Sequence, residues 1–173
     1  MSDVDRFEAF VERFEDMVFA TAFRLLGRQA DAEDVAQTVF LRAFERFDQI
    51  GDSPAAAGWL KTVTTNLCFN HLSRHRARWR LFSELRRDDG DAPEFESTLA
   101  ASAEGDALEA AQRQEVLVEA LRRLPDHQRV PLVLYHYEDR SYQEIADLLG
   151  VSLGKVKTDI HRGREALKRY IQP

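Results

Sequence analysis

Lys155, Lys157, His161, Arg162, Arg164, Lys168 and Arg169 crowd one short stretch near the carboxyl end of the chain. Cations at that density hold phosphates, and such binding weakens steeply as salt rises. Val156, Ile160 and Leu167 recur among them at helical spacing and give the stretch an apolar inner face. Just upstream, Tyr142, Ile145, Ala146, Leu148 and Leu149 form the apolar stripe of a shorter helix. Gly150 sits where a helix ends in a left-handed residue, Val151 is a small apolar pivot, and Ser152 is placed to cap the second helix. A short apolar helix, a glycine turn and a basic helix form the pattern of a helix-turn-helix whose second helix enters the DNA major groove. An ordinary helical hairpin with a solvated basic face has the same local pattern, and these residues alone leave both readings open.

A second cluster lies at 59–80, in WLKTVTTNLCFNHLSRHRARWR. Trp59, Leu60, Val63, Leu67 and Leu72 fall on or near one helical face, and Arg74, Arg76, Arg78 and Arg80 follow. An indole stacks or wedges, asparagine amides and threonine hydroxyls read base edges, and arginines hold phosphates, so the segment suits melted or single-stranded nucleic acid. A core tryptophan with a solvated basic tail is the alternative. Cys68, His71 and His75 share one helical face, but no second Cys or His cluster completes a tetrahedral metal shell, so no cofactor is expected. Neither a phosphate-binding glycine loop nor a nucleophile elbow occurs, and no enzymatic activity is expected.

The elements that must position these clusters read as helices throughout. Phe7, Phe10, Val11, Phe14, Met17 and Val18 recur at three- and four-residue spacing, and Phe19, Phe23 and Leu26 continue to a stop at Gly27. Asp31 reads as the cap of the next helix, DAEDVAQTVFLRAFERF. Glu33 and Asp34 load its first turn, where the helix dipole favours negative charge. Val35, Val39, Ala43 and Phe47 form its buried stripe, widened by Ala36, Phe40 and Phe44. The acidic start serves capping, docking on a basic partner, or both. Residues 48–58 read as a loop in which Ser53 caps and Pro54 opens the following helix. Residues 88–110 are acidic, small and weakly periodic, as linkers are. Beyond them Val116, Leu117, Ala120, Leu121 and Leu124 form one helix, broken at Pro125, and Val130, Leu132, Val133 and Tyr135 the next. The expected fold is all-α: two small helical domains, 1–82 and 112–173, joined by an acidic flexible linker over 83–111, the C-terminal domain a helix-turn-helix.

A net charge of −6 over 173 residues looks wrong for a DNA binder until it is divided along the chain. Residues 1–58 net −6, 59–87 net +6, 88–127 net −8 and 128–173 net +2. Alternating blocks point to separate surfaces for a basic and an acidic partner. The lone Cys68 precludes an internal disulfide, which suits a reducing cytoplasm. No apolar run approaches a membrane span, so no direct membrane insertion is expected.

Three segments, in this order, resemble the extracytoplasmic-function (ECF) sigma factors, the small two-domain subunits that give bacterial RNA polymerase its promoter choice. DAEDVAQTVFLRAF resembles the family's polymerase-docking helix, WLKTVTTNLCFNHLSR the helix that melts and reads the minus-ten element, and residues 121–171 the domain that reads the minus-thirty-five element. The resemblance implies that Asp31, Glu33, Asp34, Gln37, Leu41 and Arg42 face the clamp helices of the polymerase largest subunit, the flap being a further contact. It implies that the 48–58 loop captures a flipped base, with Trp59, Lys61, Asn66, Asn70, Arg74, Arg76 and Arg78 along the melted strand. For the minus-thirty-five element it implies Ser152, Lys155, Lys157, Thr158, Asp159, His161, Arg162 and Arg164. Promoter DNA, core RNA polymerase and an anti-sigma factor are the implied partners, and the cytoplasm the implied location.

Three departures from the family pattern stand out, the first being Pro54, Ala55, Ala56, Ala57 and Gly58 where the family's flipped-base loop often carries an aromatic or bulky polar residue. Asp159 stands where an arginine is common, and a carboxylate on the reading face accepts from cytosine N4 while repelling phosphate. Gly163 in the interior of the recognition helix costs about 1 kcal/mol relative to alanine. The competing function is a helix-turn-helix regulator that never engages polymerase. Such a protein has no use for the docking helix together with the Trp59–Arg80 segment.

Overall fold

The first helix, α1 (Asp3–Leu26), starts at a reciprocal cap: the Ser2 hydroxyl accepts the Asp5 N–H at 3.2 Å, and the Asp5 carboxylate accepts the Ser2 N–H at 3.0 Å. These bonds with Ser2 hold the Asp5 carboxyl below the usual carboxylate range. The computed structural model describes residues 1–73 and 107–172. All regular structure among them is helical, and the chain divides into two units between His75 and Arg76. Gly27 ends α1 as expected, left-handed at φ 71°, with its N–H on the Phe23 carbonyl at 2.8 Å.

The second helix, α2 (Gln29–Glu45), restarts at once, and here the capping expectation is corrected. An N-cap must be extended, and the extended residue is Arg28 (φ −130°, ψ 128°), which makes no side-chain cap bond. Asp31 lies inside the first helical turn. A one-turn helix, α3 (Phe47–Ile50), replaces the start of the expected loop. Gly51 lets the chain fold over Phe47, because a Cβ there would lie 2.8 Å from both the Phe47 ring and its carbonyl oxygen. The fourth helix, α4 (Ala56–Ser73), begins later than the Ser53–Pro54 pair suggests. The Ser53 hydroxyl accepts the Ala55 N–H at 3.1 Å and so closes a turn ahead of the helix.

In this unit α1 packs on α2 and α4, which also pack on each other. Val18, Ala22 and Leu25 of α1, Val39 and Ala43 of α2, and Leu60 and Cys68 of α4 are fully buried. Each leucine sealed in this way stabilises the fold by about 1.5–3 kcal/mol. Phe7, Phe10, Phe14, Phe44 and Phe47 close one end, several edge to face with centroids 5.0–5.5 Å apart. Phe44 widens the buried stripe less than its spacing suggests, since it is 59 % exposed.

The second unit holds α5 (Ala107–Arg123), α6 (Asp126–His136), α7 (Tyr142–Leu149) and α8 (Leu153–Ile171). Residues 107–111, assigned to the linker by their small and acidic composition, are helical. Alanine, leucine and glutamate are strong helix formers, and they extend the periodic stretch beyond them by a turn. Extended Pro125 separates α5 from α6, and the buried Arg129 secures the corner, donating to the Leu124 carbonyl at 2.9 Å and pairing with Asp126. Ser141 caps α7, Gly150 is left-handed at φ 66°, and Ser152 caps α8 through the Lys155 N–H at 3.1 Å, as the turn chemistry predicts.

All three other helices of the unit pack on α8, which buries Val156, Ile160, Gly163, Ala166 and Leu167. Gly163 now has a reason. A Cβ there would lie 3.2 Å from Leu132 Cδ1, itself buried, so the glycine lets α6 and α8 approach closely. Replacing Gly163 by valine is therefore expected to destabilise this unit by about 1–3 kcal/mol through overpacking, despite the better helix propensity. Thermal unfolding followed by circular dichroism checks this; an unchanged or raised Tm contradicts it.

Candidate nucleic-acid interface

On α4 the inner face is Leu60, Thr64, Cys68 and Leu72, and the Thr64 hydroxyl returns to the Leu60 carbonyl at 2.6 Å. Trp59, Asn66 and Asn70 stand at i, i+7 and i+11, one row of a helix with 3.6 residues per turn. The tryptophan is half-buried at the head of the row and both asparagines are exposed. One flat aromatic and two amides thus share a face that the core does not use, an arrangement suited to unpaired bases. Lys61 is not brought to this row: it lies about 200° from Trp59 around the helix axis. Arg74, Arg76 and Arg78 lie outside the described residues.

Along α2, Glu33, Asp34, Gln37, Leu41 and Arg42 are all exposed, Leu41 at 63 %. Beside them a groove between α1 and α2 has Val11, Phe19, Ala36 and Phe40 in its walls and Glu15 and Glu33 at its rim. The surface combines negative charge with apolar area, as a basic amphipathic helix requires of its partner. Asp31 is set apart from the others. Its carboxylate turns toward α4 and lies 3.4 Å from His71 Nε2. Of the other two residues on the His71 face, Cys68 is buried in the core and His75 lies outside the described residues.

The recognition helix is corrected at two positions. Asp159 is not a free acceptor on the reading face: its side chain is 8 % exposed, and the Lys155 Nζ lies 2.7 Å from its Oδ2. The four-residue spacing puts opposite charges side by side on a helix, a pairing that the list of cations alone conceals. Arg164 is buried as well. Its Nε and Nη2 approach His136 Nε2 at 3.1 and 3.0 Å, and its guanidinium stands 5.6 Å from the centre of the Tyr135 ring. It braces α8 against α6. Ser152 is exposed, while Lys157, Thr158, His161 and Arg162 are part-exposed and form the remaining reading surface. Sequence reasoning missed His136 and Arg129; the one available signal was the three-residue spacing of Asp126 and Arg129.

Residues 10–78 match the family model described as Sigma-70 region 2, and residues 114–167 that of Sigma-70, region 4. The chain is 31 % identical over 171 residues to the RNA polymerase sigma-E factor of Streptomyces coelicolor, covering 99 % of this chain and 89 % of that protein. It is 29 % identical to the ECF RNA polymerase sigma factor SigW of Bacillus subtilis, covering 98 % and 91 %. It is 38 % identical to the ECF RNA polymerase sigma factor SigE of Mycolicibacterium smegmatis, of which it spans 61 %. The chain belongs to the ECF sigma factors.

The Arg164 contact has a consequence for stability. Burial first, and the Arg164 charge second, lower the His136 pKa from 6.5 to about 4, so the ring is neutral in the fold. With its Nε2 accepting from Arg164, its proton sits on Nδ1. The unfolded chain, with a pKa near 6.5, binds the extra proton first as pH falls. The His136 contribution is thus complete above about pH 6.5 and is lost progressively toward pH 4. Tm measured across that range is expected to fall, and to fall less steeply in His136→Gln. Parallel profiles for the two proteins contradict the assignment.

Proposed function

We propose that this chain brings core RNA polymerase to its promoters and opens them, with no catalysis of its own. Glu33, Asp34, Gln37, Leu41 and Arg42 of α2 dock on the clamp helices of the largest subunit. Trp59, Asn66 and Asn70 engage the melted minus-ten strand, and the arginines at 74, 76 and 78 hold its phosphates. The α8 surface of Ser152, Lys157, Thr158, His161 and Arg162 anchors the complex at the minus-thirty-five element, while the unit also contacts the flap. The single observation that carries this reading is the Trp59, Asn66, Asn70 row, its tryptophan half-buried and both amides exposed, on a chain that belongs to the sigma factors. Free of polymerase, these surfaces need masking, which is the work of an anti-sigma factor. The site of action is the cytoplasm. Among the described residues no helix is long and apolar enough to cross a membrane.

Mixing the purified chain with core polymerase tests the reading. Co-elution and a promoter-dependent transcript are expected, and their joint absence favours a polymerase-independent regulator instead. Removing the indole by Trp59→Ala is expected to lower open-complex formation about tenfold, since a stacked base contributes roughly 1–3 kcal/mol. Without polymerase, the chain is expected to bind promoter DNA weakly at physiological salt. Nanomolar specific affinity of the free chain contradicts that expectation.

A further inference from the structure

Asp31 belongs to the acidic start of α2 by sequence, yet its carboxylate faces away from that exposed band. Oδ2 lies 3.4 Å from His71 Nε2, and both side chains are about one-third exposed, 28 % for Asp31 and 34 % for His71. The neighbours on this seam matter. His71 directly follows Asn70, the last exposed amide of the base-facing row, and Ser73 ends α4 two residues later. A groove beside the pair is lined by Asp34, Val35 and Thr38 of α2 and by Leu67, Asn70 and His71 of α4. The walls of one groove therefore carry a residue assigned to docking, Asp34, and one assigned to the melted strand, Asn70.

Apolar side chains along this seam, among them Val35 of α2 and Leu67 of α4, contribute without directional preference. At 3.4 Å the Asp31–His71 contact adds a constraint between two specific atoms. Toward the end of α4, the Asp31–His71 contact bridges α2 and α4 from one turn beyond the last fully buried residue, Cys68. Leu72 beside it is 9 % exposed. The contact therefore bears on the rotation of the last α4 turn, which carries Asn70.

We infer that Asp31 is a positioning residue rather than a polymerase contact: through His71 it sets the terminal turn of the base-facing helix relative to the docking helix. The inference rests on the proposed sigma-factor function and reassigns one residue within it. It separates two steps that a docking role would merge. Loss of a docking contact weakens affinity for core polymerase. Loss of the tie leaves that affinity intact and slows strand opening.

The experiment uses reconstituted holoenzyme with Asp31→Ala, His71→Ala, the double variant and His71→Arg. Core affinity is measured by competition against labelled wild-type chain, and opening by the rate at which 2-aminopurine in the minus-ten element brightens. Both single variants are expected to keep core affinity within about twofold and to slow opening by roughly three- to tenfold, the range for residues that touch. The double variant is expected to be no slower than either single one, and His71→Arg, which places a nitrogen donor opposite Asp31, to open at close to the wild-type rate. Thermal unfolding monitors folding of each variant, and Asp31→Asn with His71→Gln, closer in shape, replace any alanine variant that fails to fold. A drop in core affinity in the Asp31 variant alone overturns the inference, as do unchanged opening rates or additive effects in the double variant. Wild-type holoenzyme that yields no promoter-dependent opening would instead overturn the proposed function beneath it.

Discussion

A helix that reads DNA must also be held, and in the second unit one helix does both. The α8 helix packs on α5, α6 and α7, so one sector of it is committed before any contact with a ligand is made. Val156, Ile160, Gly163, Ala166 and Leu167 fill that sector. The same sector captures Arg164, and Lys155 is drawn to Asp159 at its edge. What remains for the major groove is a narrow strip with modest charge. This constraint explains why not all of the cations near the carboxyl end are available to DNA: Arg164 is buried and Lys155 is paired. A buried guanidinium is tolerable there because a neutral imidazole and an aromatic face replace its water.

The first unit solves the same problem with more freedom. Its central helix is α1, which carries none of the residues assigned to partners, so α2 and α4 each keep an outer face. On α4 two of the three threonine hydroxyls are turned back to backbone carbonyls, Thr62 to Gly58 and Thr64 to Leu60. The amides of Asn66 and Asn70 are left as the polar groups on the outward row. Both units divide burial and recognition between the faces of single helices, the first on α2 and α4 and the second on α8 alone.

Much of this was legible in the sequence because it depends on local chemistry. Gly27 and Gly150 end helices in the left-handed region, and Ser152 caps α8, for reasons contained within four or five residues. The periodicity of Phe10, Phe14 and Val18 likewise places them in the core. What escaped was set by tertiary contacts or by competition between neighbouring signals. Asp31 has the chemistry of a cap, but Gly27 releases the chain early enough for α2 to start at Gln29. Residues 107–111 look like linker by composition, yet they are good helix formers adjoining a periodic helix. Asp159 and Arg164 look like DNA contacts until the three-dimensional neighbours, Lys155 and His136, are known. Nothing local to Gly163 announces Leu132.

The close approach at Gly163 gives α8 the mechanics of a lever. The contact with α6 is a fulcrum, and the helix runs from it about 16 Å to the Ser152 end, at 1.5 Å per residue. A tilt of roughly 3° about that point moves the tip by almost 1 Å, comparable to the tolerance of a hydrogen bond to a base edge. The absence of one side chain in the core therefore sets the aim of the surface strip on α8.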